Sequence, residues 1–463
     1  MMNFISPTNV VGMPNDEYAR LLEVVDVYLA HQPKNEKKAR YYEGNIRLAD
    51  VNLGIALPST MSGLEIGCAW GAKCVDVLAA RSMLDGFVGQ DGEAVAELDK
   101  IMQENRLLIE YPKACRDELK LGATFATLSR DPEIGCKIRF HSAQTAAALW
   151  NGDAGRIERG IAIIDTVRDE FLQEKPTLIY YYTDSDVWAL VLDGSVWHAT
   201  RFPHRMGRPL MEPLVWNATS GKPFGRSRIK EPVRRLIDSY VRTIANATVG
   251  LEFATTPQKY LLGITDEQYD AVINQKFRQY VGSIIAATNN PETGEHPVFG
   301  QLPQGSITPH VDMLRLLATQ FSAATGLTVS DTGVVNDANP TSFDAIMAQS
   351  QTLVSMAEQL NAGNGEALRN IALMALAISH DMTVDELPEE QKAIMPHFRN
   401  PAMPSVAVTA DAAVKIASSR QSFAKTDVFL EMLGFSPADV RRIKAQEAET
   451  ADAAGVDAIG FEV

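Results

Sequence analysis

The stretch Leu64–Phe87, LEIGCAWGAKCVDVLAARSMLDGF, admits two incompatible folds. Read as strand, glycine-rich turn and helix, it supplies Gly67 and Gly71 for a close backbone approach to a nucleotide. Asp85 or Asp91 would then meet the ribose hydroxyls. Read instead as the lead-in to an amphipathic helix, Lys73–Met83 puts Val75, Leu78 and Ala79 on one face and turns Asp76 and Arg81 away from it. The residues oppose the first reading. Ala69 stands where the central glycine is needed, and bulky Trp70 stands where ligand and backbone must touch. Only Met61 and Leu64 precede the turn as apolar residues, after Pro58-Ser59-Thr60, so no buried parallel strand fits.

No alternating series of strands and helices follows, as a doubly wound sheet requires. A methyltransferase that uses S-adenosylmethionine is therefore the alternative reading, and the helix is preferred. At 463 residues the chain is long enough for about three domains. Its net charge of −15 opposes a surface that grips nucleic acid in bulk, yet suits a wall past which DNA slides. Cys68, Cys74, Cys115 and Cys136 form no CxxC pair, which argues against a zinc site and for reduced thiols. The start, MMNFISPTNVVG, lacks the basic and apolar segments of a signal peptide. The longest strongly apolar run, Ile371–Ile378, is far short of the ~20 residues that span a bilayer. A soluble chain, intracellular when made, is expected.

Periodicity sets the organisation. Tyr18, Leu21, Leu22, Val25 and Leu29 place a helix over Asp16–Ala30. Val95–Leu121 reads as two helices divided near Tyr111-Pro112. A strand follows at Ala123–Leu128, then strand-prone runs at Ile157–Asp165, Thr177–Tyr182 and Val187–Leu192, with a hairpin at Asp193-Gly194. After the basic, turn-rich Gly221–Arg228, a helix runs over about 230–251 and a second over about 311–324. Gly326–Pro340 reads as a mobile loop. A long helix starts near Thr341, with an interruption at Asn361–Gly365. Helical stretches at 411–423, 427–433 and 437–446 precede an acidic tail without Lys or Arg after Lys444.

No constellation points to catalysis, a cofactor or a metal. GKPFGRS has its lysine in the wrong place for a phosphate loop, which needs GxxxxGK[ST]. His198 and His204 lie across Pro203 with no carboxylate at ligand spacing, and no GxSxG elbow occurs. Arg226, Arg228, Lys230, Arg234, Arg235 and Arg242 make a basic run in an acidic chain, which suits contact with an acidic neighbouring subunit.

The order of motifs resembles that of portal proteins of long-tailed (siphophage) bacteriophages. Tyr41-Tyr42-Glu43-Gly44 with Leu57-Pro58 looks like the family's opening. Trp70, Val75-Asp76, Leu78, Arg81 and Gly86-Phe87 look like its first helix. Asn105, Ala114, Leu121-Gly122, then Ser142-Ala143-Gln144 and Trp150 continue the order. The most specific match is Pro223-Phe224-Gly225-Arg226-Ser227-Arg228-Ile229 with Leu236-Ile237-Asp238 and Arg242-Thr243. Pro257-Gln258-Lys259-Tyr260, Gly263, Gln304-Gly305-Ser306, Ala410-Asp411-Ala412, Lys415 and Leu433-Gly434-Phe435 complete it.

The resemblance implies an α+β, mostly helical portal fold and no enzyme activity. Its regions would be a flexible N-terminus (1–15), an α/β wing (16–225), stem helices (226–253 and 308–325) and a clip between them (254–307). Beyond these it implies a tunnel loop (326–341), inner wing helices (342–380), a helical crown (381–446) and a disordered acidic tail (447–463). It further implies a ring of about twelve copies at one capsid vertex of the virion, passing double-stranded DNA during packaging and ejection. The implied partners are the terminase large subunit, a head-completion adaptor, and the major capsid and scaffolding proteins. Val329, Ser330, Asp331, Thr332, Gly333, Val334, Val335, Asn336 and Asp337 would face DNA, while Arg226, Arg228, Arg234, Arg235 and Arg242 would contact the next subunit.

Overall fold

The computed structural model describes residues 10–47, 65–89, 92–168, 174–255, 259–263, 294, 296, 298–301, 306–333, 343–402, 406–420, 422–436 and 439–447. The expectations for the first nine residues, for most of the clip and for the tail beyond 447 lie outside them. The helices that matter below are α1 (Asn15–Glu43), α2 (Trp70–Ala79), α3 (Gly92–Glu104), α4 (Leu107–Leu121), α5 (Glu231–Thr255), α6 (Thr308–Thr325) and α7 (Phe343–Ser379). The strands are β1 (Val10–Val11), β2 (Asn45–Arg47), β3 (Glu65–Gly67), β4 (Leu84–Val88), β5 (Ala123–Asp131), β6 (Gly135–Ser142), β7 (Ala146–Asn151) and β8 (Arg156–Arg168). They continue with β9 (Glu174–Tyr182), β10 (Asp186–Asp193), β11 (Val196–Pro203), β12 (Met211–Val215), β13 (Lys259–Leu262), β14 (Val298–Gln301) and β15 (Met395–Phe398). Strands claim more of the chain than the mostly helical expectation allowed, and helix makes up about half.

Two units emerge from the packing: Met1–Gly44, Ala69–Arg234 and Ser322–Val463 form one, Asn45–Cys68 and Arg235–Phe321 the other. In the first, β7 to β11 form an antiparallel meander, and β1 adds to its edge in parallel beside β11. The hairpin between β10 and β11 turns through Gly194 at φ 63°, the left-handed conformation that glycine adopts without strain. Leu21, Val24, Val25 and Tyr28 of α1 pack on this sheet against Ile161, Ile179, Tyr181, Trp188, Leu190 and Trp197. Leu29, expected on that stripe, is exposed, and Val24 takes its share of the contact.

Helix α1 also runs on through Pro33 to Glu43, well past the expected end. Tertiary bonds compensate the backbone hydrogen bond that proline removes. Tyr28 Oη and Gln32 Nε2 donate to Gln144 O at 2.8 and 2.9 Å, and Asn35 Nδ2 donates to Ala143 O at 2.8 Å. Three successive turns of helix thus clamp the turn between β6 and β7.

A second sheet, ordered β12-β5-β6, packs against α4 and α7. The break between α3 and α4 falls at Asn105-Arg106 rather than at Pro112, which lies inside α4. Asn105 decides it. Its buried amide donates to Ile101 O and Cys136 O and accepts from the Ile138 amide, tying the end of α3 to β6. Gly86-Phe87 belong to strand β4, paired with β15, and not to the helix that was expected to run on to Met83.

Helix α7 is continuous over 37 residues, so Asn361–Gly365 does not interrupt it. Between its two glycines, fully buried Asn364 donates to Tyr111 Oη (3.1 Å) and Glu118 Oε2 (2.8 Å), and Tyr111 Oη meets Ser82 Oγ at 2.7 Å. Burial pushes the Glu118 carboxyl up to about 8. Glu118 Oε1 and Asn364 Oδ1 are both buried acceptors without a donor, a lack that a protonated carboxyl relieves.

In the second unit, β2 and β3 pair antiparallel, and so do β13 and β14. Within it, α5 buries Ile237, Val241, Ala245 and Val249, a row at four-residue spacing. No helix of the described residues is long and apolar enough to cross a membrane.

Because its folded pKa is raised, Glu118 contributes stability fully below the unfolded carboxyl value of about 4.3. That contribution is lost as pH climbs through about 8. Glu118→Gln is expected to flatten this dependence. Thermal unfolding at about pH 6 and about pH 9 should show a larger drop in midpoint for the wild type than for the variant.

Candidate functional site

The segment that closes α6 is pinned at its start. Gly326 turns the chain at φ 72°, and Ser330–Thr332 form a single 3-10 turn ended by Gly333 at φ 78°. The Asp331 carboxylate accepts from both the amide and the hydroxyl of Thr328, at 2.9 and 2.8 Å. It therefore fixes the turn rather than standing free to meet DNA. Thr332 Oγ1 donates to Val329 O (2.6 Å), and Thr332 O accepts from the indole nitrogen of Trp70 at 3.2 Å. Five of the nine tunnel-loop residues expected from the sequence, Val329 to Gly333, thus make a shoulder anchored on α2. Val334, Val335, Asn336 and Asp337 lie outside the described residues.

In the sequence Trp70 read as an obstacle to nucleotide binding and as the first residue of the family's helix motif. Its buried indole is the anchor of this shoulder, and no sequence signal paired it with a residue so far along the chain. Gly71 is likewise occupied by the protein itself: a Cβ there would stand 1.9 Å from Tyr41 O. The close approach that a nucleotide would need is filled by the end of α1, and β3 is a short antiparallel strand. The methyltransferase alternative fails on both counts.

The basic run separates into different roles. Arg228 is buried, 6 % exposed, and its backbone N–H donates to Leu119 O at 2.9 Å. Its guanidinium donates to Cys74 O in α2 and to Thr325 O, the last carbonyl of α6, at 2.6 Å for the latter. The ring of Trp216 lies 5.8 Å from the guanidinium carbon. Arg228 is therefore committed within its own subunit and unavailable to a neighbour.

The flanking residues brace it. Ser227 Oγ donates to Lys120 O (2.5 Å), and the Phe224 ring packs on Phe125 and Trp150 at 5.7 and 5.8 Å. Gly225, at φ 63°, is required where a Cβ would meet Trp216 O at 2.1 Å. Arg226 is exposed, and Arg234 is half-buried, donating to Ile229 O at 2.7 Å with its guanidinium 6.0 Å from the Tyr41 ring. Arg235 and Arg242 are exposed on α5 in the second unit.

Within the first unit, Arg226 and Arg234 border a cavity of about 500 Å³ between α1 and the 222–234 segment. Lys34, Lys38, Lys222 and Lys230 line it as well, and no carboxylate does. Phe125, Ala147 and Phe224 supply apolar lining. Lys38 donates to Leu121 O at 2.7 Å. Burial, with Arg234 and Lys34 close by, pulls its ammonium down to about 8. The same crowding lowers His31. Lys34 and Lys38 lie beyond the helix end expected from the sequence, and nothing in it brought them to Arg226.

No group of three or more His, Cys, Asp or Glu residues among those described is placed to hold a metal ion. The four cysteines are free and buried, and burial pushes the Cys74 thiol up to about 12, away from nucleophilic chemistry.

Two long helices, α5 and α6, bracket a small insert in sequence, and the segment after the second is pinned at its start. Residues 21–453 match the family described as phage portal protein, SPP1 Gp6-like, and the chain belongs to that family. It is therefore a virion component and not an enzyme. It is 25% identical over 447 residues to the portal protein of Mycobacterium phage D29, covering 95% of this chain and 90% of the relative. To the portal protein of Mycobacterium phage L5 it is 25% identical over 429 residues, covering 91% and 86%. Among solved structures it is similar to a chain of the native gene transfer agent virion, at 12% identity and a TM-score of 0.45, covering 80% of this chain and 90% of that one. A chain from the neck of the native gene transfer agent particle computed with C12 symmetry matches at 13% identity and a TM-score of 0.43, with the same coverage.

Two substitutions test the anchors. Arg228→Lys removes the fork that reaches two carbonyls at once and is expected to cost about 1.5–3 kcal/mol, read by denaturant unfolding. Trp70→Phe removes the indole donor and part of a buried ring, so the midpoint of unfolding should fall, and hydrogen exchange should rise at 330–333 by more than that fall accounts for.

Proposed function

We propose that the chain assembles as a ring of about twelve copies at one capsid vertex, through which double-stranded DNA is packaged and later ejected. The observation that carries this reading is the family match, which runs through 21–453 and so spans nearly every region the reading needs. In this reading the wing is 16–225, the stem helices 226–253 and 308–325, the clip 254–307, the tunnel loop 326–341, the inner wing 342–380 and the crown 381–446. The ring docks the terminase large subunit, a head-completion adaptor, and the capsid and scaffolding proteins.

Electrostatics support a passage rather than a grip. Copies at −15 each would sum to roughly −180 over the ring, so phosphates meet a wall of like charge. The first residues of the tunnel loop, up to Gly333, are held by Trp70 and by the Thr328–Asp331 turn. Arg226, Arg234, Arg235 and Arg242 remain the basic subunit contacts, and Arg228 positions the segment that bears the first two.

Mass photometry with negative-stain imaging tests the ring. Copies of a 50.7 kDa chain should give particles of about 600 kDa with cyclic symmetry and a central channel. A sample that stays a small globule under all assembly conditions contradicts the reading. Deleting Val334–Asp337 leaves the anchored shoulder intact. Rings are expected to form as in the wild type, while packaged DNA per particle falls. Normal packaging by that variant would remove the tunnel-loop role.

A further inference from the structure

The cavity beside α1 is lined by a cluster of cations and, among the described residues, by no carboxylate. Lys34, Lys38, Lys222, Arg226, Lys230 and Arg234 border it, and of these Lys34, Lys222, Arg226 and Lys230 pair with no carboxylate among the described residues. Lys34, Lys222, Arg226 and Lys230 are exposed, and in a chain of net charge −15 they form a local positive patch that a negative partner would complement. A free phosphate would answer the charge alone. The cavity also has apolar lining, from Phe125, Ala147 and Phe224, which calls for an apolar side chain beside the anion.

The same unit carries a surface of the matching kind. After α7 ends, Asp385, Glu386, Glu389 and Glu390 are exposed over six residues, and Met382 beside them is 41 % exposed. This turn is rigid. Thr383 and Glu386 close a reciprocal cap, with Thr383 N donating to the Glu386 carboxylate at 2.8 Å. Lys392 donates to Asp385 O and to Glu389, and Arg369 holds Lys392 O at 2.7 Å. The carboxylates of Asp385 and Glu390 have no partner among the described residues.

Strand β5 places the two features apart. Its first residues, Ala123 and Phe125, line the cavity. Near its far end Arg130 pairs with Asp381, four residues before the acidic turn, at 3.1 Å. At about 3.3 Å per residue the two lie about 20 Å apart along one strand, at opposite ends of it. Acidic turn and basic cavity therefore cannot satisfy each other within one copy, but copies in series can. That is the requirement of a heterologous contact, the kind that closes rings.

We propose that the acidic turn Asp385–Glu390 of one copy seats in the Lys/Arg-lined cavity of the next, with Met382 against the apolar lining. This rests on the ring reading above and names the surfaces that close it. The pairing is electrostatic, so it sets the order and registry of neighbours and weakens as salt rises.

Charge reversal tests it in the full-length chain. The cavity variant is Arg226→Glu with Lys230→Glu; the turn variant is Asp385→Lys with Glu390→Lys. Each should unfold at the wild-type midpoint, yet form rings at least about tenfold less well than the wild type by mass photometry. An equimolar mixture should recover rings, because reversed cavities accept reversed turns while native pairs form at the other contacts. Alternating copies would then give only even-numbered rings. Variants that each close rings like the wild type, or a mixture that recovers nothing, overturn the pairing while leaving the portal reading intact. A wild-type chain that never closes rings overturns both. Deletion of 448–463 should leave assembly unchanged. If that deletion abolishes rings while the turn variant still forms them, the acidic tail occupies the cavity and the pairing is wrong.

Discussion

A buried cation with no carboxylate partner among the described residues joins α2, α4 and the end of α6. Arg228 reaches a carbonyl inside α2 and the terminal carbonyl of α6, while its own N–H binds the end of α4. Helix ends leave carbonyls without partners and carry partial negative charge, so a guanidinium at the end of α6 satisfies both at once. Removing such a cation from water is expensive, and carbonyl dipoles repay the cost only with good geometry. The geometry is set by the preceding residues: Gly225 against Trp216 O, Ser227 on Lys120 O, and Phe224 between Phe125 and Trp150. Three residues after Arg228, α5 begins. The start of one long helix and the end of the other are thus fixed to the same side chain.

The second anchor follows from the first. Helix α2, which offers Cys74 O to Arg228, also presents Trp70 to Thr332 O, a short way beyond the end of α6. The chain leaving α6 is therefore gripped on both sides of Gly326, as far as Gly333.

Polar burial serves the same interior. Glu118 sits under the middle of α7 with Asn364, Tyr111 and Ser82, joining that helix to α4 and to the loop after α2. Its raised pKa means that the network is best satisfied when the carboxyl is neutral. A buried charge in this position would lack a cation, and none is near enough to supply one among the causes of the shift. Charge on the outside includes a cation-lined cavity beside α1 and an exposed acidic turn at Asp385–Glu390. That asymmetry gives each copy two unlike surfaces, as an assembly of identical subunits in a closed cycle requires.

Local pattern alone determined several features. The period of apolar residues gave α1 and α5, and a helix expected over about 311–324 is found as α6 over Thr308–Thr325. Alternation and Asp193-Gly194 gave the hairpin of β10 and β11, because turn chemistry is local. The ordered motifs gave the family. Tertiary contacts decided the rest, often against the local signal. Pro33 lies inside a helix whose neighbouring turns are held by distant hydrogen bonds, Pro112 lies inside α4, and Asn361–Gly365 stays helical because Asn364 is held by α4. Arg228 read as one more surface arginine, and the cavity lined by Lys34, Lys38 and Arg226 was invisible. Charge and periodicity report which residues face water along one element, but not which elements meet. Only folding brings residue 34 beside residue 226, and residue 70 beside residue 332.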